Sequence, residues 1–240
     1  MKILLGERVA IGVALLFAVV AVAGFGLFGI DPHRLANRPE LIGIYTASFR
    51  VFAQGQVWIT GAACAYVLAT RTRTAWLPAL GTCYAISLCS ELLGTTFGIP
   101  FGAYAYASTL GPMWLSRVPV IIPLSWFLMA LPSYAIAARW MAGMRRVFAG
   151  SLVLLLWDLV LDPAMSHVTN YWRWEHAGPY FGMPLLNLFG WYVTGLALLG
   201  ALHALRVTRW TILVPGTIWI AFYAINLVVP AGMMLARALT

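Results

Sequence analysis

The chain has 240 residues, 62% of them hydrophobic and only 9% charged, with a net charge of +8 at neutral pH. A soluble globular domain carries about 25% charged residues, so that class is excluded. Lys2 is the only lysine, and the arginines stand in ones and twos at the ends of apolar runs. That placement suits topology signals and headgroups of membrane lipid, and no nucleic-acid partner is expected.

No charged residue falls between Arg8 and Asp31, Arg50 and Arg71, Arg117 and Arg139, or Arg209 and Arg237. Each gap is about the 20 residues needed to cross a hydrocarbon core of roughly 30 Å. A barrel would instead alternate over segments of about ten residues. The expected fold is an all-α polytopic transmembrane helix bundle, a single integral-membrane domain over 1–240. Its spans are placed near 9–30, 43–69, 75–97, 118–142, 147–168, 183–206 and 211–235. The first span follows a basic start and contains Ala21, Val22 and Ala23, features shared with cleavable signal peptides. Its apolar run from Val9 to Ile30 is long enough to span, and it is read as a retained helix.

A cytoplasmic amino terminus, in the inner cell membrane, puts nine basic residues inside: Lys2, Arg8, Arg71, Arg73, Arg139, Arg145, Arg146, Arg206 and Arg209. Six remain outside: Arg34, Arg38, Arg50, Arg117, Arg173 and Arg237. The balance favours that orientation. Cys64, Cys83 and Cys89 lie in apolar helices without metal-ligand spacing and read as small packing residues.

Two connections on the outer side, 98–117 and 169–182, are rich in aromatics, Gly and Pro. Irregular backbone at membrane depth survives only against protein, so these are expected to be ordered cap loops. A faint parallel repeat agrees. Pro119 precedes Trp126 by the same interval that separates Pro184 from Trp191, and in both cases a cap and an acid-bearing helix come before.

The acids are Glu91 in the third span and Asp158 and Asp162 in the fifth. Four residues apart on a helix, the two aspartates project from one face about 6 Å apart. An acid at the bilayer centre costs roughly 2.5–3.5 kcal/mol. No lysine or mid-span arginine is available to neutralise these three, so a functional role is expected. The aspartate pair should titrate as a unit and hold one proton at neutral pH, placing a proton donor beside an acceptor. Glu91, Asp162 and Asn187 fall in one slab of the outer half, beneath the caps. Gln54, Gln56 and Asn226 are read as helix-joining hydrogen-bond formers. His167 and His176 have no ligand spacing, and no cofactor fingerprint is present, so neither metal nor cofactor is expected. Such a site suits a lipid with no polar handle, and protonation of an alkene.

The residues around these acids resemble the integral-membrane carotenoid 1,2-hydratases, of the γ-carotene and bisanhydrobacterioruberin hydratase type. The matching segments are Ser90 to Thr95 (SELLGT), Gly98 to Tyr106 (GIPFGAYAY) and Val118 to Trp126 (VPVIIPLSW). They continue with Trp157 and Asp158, Asp162 and Pro163, Trp172 to Trp174, Gly178 to Pro184 (GPYFGMP), Asn187, and Gly190 with Trp191. The resemblance runs over roughly 40–235, and the first helix carries little of it. It implies addition of water to the terminal C1–C2 double bond of an acyclic ψ end group, as in lycopene or γ-carotene, giving a tertiary alcohol. One of Asp158 and Asp162 would be the general acid, and the other, or Glu91, would orient and deprotonate the water. Tyr104, Tyr106, Trp157, Trp174 and Trp191 would shield the cation, with Trp126 and Asn187 also in the substrate pocket. Loss of hydration is expected on substitution of either aspartate by asparagine. Two rivals use the same acids: a membrane lycopene-type cyclase, in which an internal alkene captures the cation, and a lipid or proton-coupled transporter.

Overall fold

A computed structural model of the chain describes residues 1–29 and 38–239. Ile30, the last residue of the first expected span, and Arg34, assigned to the outer side, lie outside the described residues. The long helices are α1 (Leu5–Gly24), α2 (Ile42–Thr72), α3 (Leu77–Phe97), α4 (Ile121–Ala137), α5 (Arg145–Asp162), α6 (Leu185–Ala204) and α7 (Gly216–Ala238). π-helical turns extend α1 over Phe25–Gly29 and α5 over Pro163–Val168. Six of these helices are long and apolar enough to cross a membrane, and α4 is a shorter apolar helix of 17 residues. The protein is an all-α membrane bundle.

Local chemistry sets the ends. Helix α3 has Pro78 in its first turn, where the missing N–H is harmless, and stops at Gly98 in the left-handed region at φ 72. Helix α5 widens at Pro163, which cannot donate to the turn before it. The seventh expected span, 211–235, instead starts at Gly216. Pro215 is extended at ψ 134 and disfavours helix in the residue ahead of it. The fourth, expected over 118–142, loses 118–120 to the cap and also ends five residues early at Ala137, where the chain turns over 138–140. It is also the most enclosed, with 13 of its 17 residues buried, among them Trp126, Phe127 and Tyr134.

Helix α1 docks on α2 and α7 through buried Ala14, Ala18 and Ala21. Near its start, Glu7 is buried and takes a forked pair from Arg71 of α2, Nε to Oε1 at 2.5 Å and Nη2 to Oε2 at 2.7 Å. The Leu4 amide donates to the same carboxylate at 2.7 Å. A buried ion pair holds only when its oxygens are satisfied in this way.

Both cap loops are ordered. Strand β1 (Tyr104–Tyr106) pairs antiparallel with β4 (Trp172–Trp174), in the register Tyr104 to Trp174, Ala105 to Arg173 and Tyr106 to Trp172. Within the first loop, β2 (Met113–Trp114) and β3 (Val118–Pro119) form a small hairpin. The ribbon alternates as strands do: Ala105 and Arg173 are exposed, while the four rings face the bundle. Gly190 of α6 lets the first cap approach, since a Cβ there would lie 2.8 Å from the Pro100 carbonyl oxygen.

Candidate active site

A cavity of about 310 Å³ opens beneath the ribbon. Its lining comes from the C-terminal ends of α1, α3, α5 and α7 and the N-terminal ends of α2, α4 and α6. Successive helices therefore run in opposite directions, and every one reaches this side. Among the described residues that line it there is no Lys, Arg or His.

Glu91 and Asp162 both line this cavity and are only 4% and 1% exposed. Glu91 takes three hydrogen bonds, all from aromatic side chains. Trp126 Nε1 donates to Oε1 at 2.7 Å, Tyr106 donates to Oε2 at 2.8 Å, and Tyr104 donates to the same oxygen. Burial and then the Glu91 carboxylate push both phenols well above the ordinary tyrosine value, so they keep their protons and donate.

Asp162 is served by the other strand of the ribbon: Trp172 and Trp174 each donate an indole N–H to its Oδ1 at 3.2 Å. Its Oδ2 accepts from the Asn187 amide at 3.1 Å, and the same amide donates to Asp158 Oδ2 at 2.9 Å. Asn187, at the head of α6, thus bridges the two aspartates. Asp158 is fully buried but is not among the cavity-lining residues, and its Oδ1 has no hydrogen-bond partner among the described residues. A turn of helix rotates it behind Asp162.

The aromatic walls are contiguous. Trp126 and Trp191, the positions related by the sequence repeat, stack at 4.0 Å and 26°. Trp157 lies 5.8 Å from Trp191, and Tyr104 lies 5.1 Å from Trp174. All seven expected pocket residues, Tyr104, Tyr106, Trp126, Trp157, Trp174, Asn187 and Trp191, line the cavity. Asp158 is the member of the expected site that does not reach it.

Trp172, Gln56 and Asn226 are among the lining residues that the sequence reading of the site left out. Trp172 was legible in the period-two pattern of Trp172 and Trp174, which matches Tyr104 and Tyr106. Gln56 and Asn226 make the ordinary helix contacts expected of them, to Thr60 Oγ1 at 3.2 Å and the Phe222 carbonyl at 2.8 Å, yet both also line the cavity. Gln54 ties α2 to the first cap through the Thr109 carbonyl at 3.0 Å.

A stretch of 110 residues is 31% identical to bisanhydrobacterioruberin hydratase of Haloarcula japonica, covering 44% of this chain. The chain spans 37% of that relative's length. No solved structure matches the chain. A family model described as "Carotenoid biosynthesis protein" matches residues 54–240, a stretch that holds all three acids and the whole ribbon. The chain belongs to this family of carotenoid biosynthesis proteins.

Proposed function

We propose that this protein is a carotenoid hydratase that adds water across the terminal C1–C2 double bond of an acyclic ψ end group. One observation carries the reading: Glu91 and Asp162 share an aromatic-walled cavity in which no described lining residue is basic. The hydratase name of the relative from Haloarcula japonica supports it.

In this reading Asp162 is the acid. It gives its proton to C2, the alkene electron pair forms the new C–H bond, and a tertiary cation is left at C1. A water attacks C1 and loses a proton to Glu91, and transfer of that proton back to Asp162 completes the cycle. Trp126, Trp157 and Trp191 line the same cavity, and aromatic rings suit a transient cation. Asp158 acts through Asn187: two acids a turn apart on one amide share a proton more readily than both carry charge. With the amino terminus in the cytoplasm, the site lies in the outer half of the inner membrane.

The test is expression in a host that accumulates lycopene or γ-carotene, followed by mass analysis of the pigments. A gain of one water per reactive end is expected. Unchanged pigment, or an isomer of unchanged mass from ring closure, overturns the reading.

A further inference from the structure

The cavity does not end at the acids. It continues as an arm between the C-terminal end of α1, the N-terminal half of α2 and the C-terminal half of α7. On α2 the lining residues include Tyr45, Phe49, Phe52 and Gln56, one stripe at helical spacing. Opposite them stand Phe25 of the α1 extension and Met233 of α7. Phe49 joins the stripe to the caps: its ring lies 6.0 Å from Tyr45, 6.4 Å from Phe25 and 5.4 Å from Tyr171. Tyr171 is the residue before β4.

The arm reaches the outside of the bundle at Phe28, which lines the cavity and is 52% exposed. Phe28 lies in the apolar span Leu5–Gly29 and Phe49 ten residues into the span Pro39–Thr72. That span is 34 residues, about 51 Å at 1.5 Å per residue against a hydrocarbon core of roughly 30 Å, and Phe49 stands beside exposed Arg50, so the arm opens near the outer boundary of the hydrocarbon. Among the described residues that line it, the polar side chains beyond Gln56 and Asn226 are the hydroxyls of Tyr45, Ser48 and Tyr171. The whole cavity, acids and arm together, holds about 310 Å³, at the low end of the roughly 300–1,000 Å³ of sites that enclose a drug-sized ligand, so a longer chain must project from it.

We propose that this arm is the path by which a long linear polyene enters from the bilayer, end first, and in which its chain lies while the end group meets Glu91 and Asp162. The site of water addition rests on the reading above; the path does not require that water be added. The α1 wall and the first turns of α2 precede the family-matched residues 54–240, so the arm is built largely from a part of the chain to which no role is assigned.

Two glycines of the first span make a paired test. Gly24 lines the arm, and a Cβ added there meets no described residue within 4 Å, so a large side chain there would extend into the arm. Gly26 is equally open but is exposed and does not line the cavity. Wild type, Gly24→Phe and Gly26→Phe are each purified in detergent from a host accumulating lycopene. Pigment retained per protein is read by absorbance, and hydrated product separately by mass. Retention should fall tenfold or more in Gly24→Phe and stay within twofold of wild type in Gly26→Phe. Equal retention in Gly24→Phe and wild type, equal loss in both variants, or no retention by wild type overturns the path. Retention that follows the expected pattern without any hydrated product leaves the path standing and removes the hydratase reading.

Discussion

Glu91 on α3 and Asp162 on α5 lie under the same two-stranded ribbon, and each is served by a different strand. The tyrosines of β1 donate to Glu91 and the tryptophans of β4 donate to Asp162. In each acid, one oxygen is held by indole N–H, which can only donate: Oε1 of Glu91 by Trp126 and Oδ1 of Asp162 by Trp172 and Trp174. The other oxygens differ. Oε2 of Glu91 faces two phenols, which can turn from donating to accepting when the acid gains a proton. Oδ2 of Asp162 faces an amide already shared with a second carboxylate. In the proposed reaction the first arrangement suits a centre that receives a proton, and the second, crowded with acid, suits one that releases it.

Breaking either end of this arrangement gives the largest expected effects. Asp162→Asn and Glu91→Gln should each lower hydration by about 10²–10⁴-fold, the range of a lost general acid or base, in protein that still inserts and purifies normally. Asp158→Asn, one step removed from the cavity, should cost about tenfold, as for a charged hydrogen bond of roughly 1.4 kcal/mol. A loss at Asp158 as large as that at Asp162 would show that the buried acid takes part directly, as the spacing alone suggested. Trp172→Phe removes one of the two donors to Asp162 Oδ1 and should cost about fivefold, or about 1 kcal/mol, measured as initial rate in detergent. Gln54→Ala cuts the tie between α2 and the first cap. It should lower the thermal midpoint by a few degrees, as for a loss of about 1 kcal/mol, with turnover within about twofold of wild type.

Much of this was legible before any coordinates. Charge-free gaps located four of the seven long helices, because the bilayer sets a minimum length for a span, and unneutralised acids stood out because hydrocarbon makes them costly. The ribbon was not legible as a pairing: Tyr104 and Trp174 meet across most of two helix hairpins, and short strands inside aromatic loops carry little signal of their own. The retreat of Asp158 from the cavity was equally hidden. Residues four apart share a face, but the offset that remains after one turn is enough to leave Asp162 on the cavity wall and Asp158 off it. Gln56 and Asn226 have hydrogen-bond partners on their own helices, so nothing in their residue types announced that they also border a cavity.

The most direct test is isotopic. Purified protein given lycopene in deuterated water enriched in oxygen-18 should yield a tertiary alcohol with one deuterium at C2 and the heavy oxygen at C1. An alcohol without deuterium at C2, or a deuterated product without the heavy oxygen, would contradict a site in which a carboxylic acid protonates the alkene and water captures the cation.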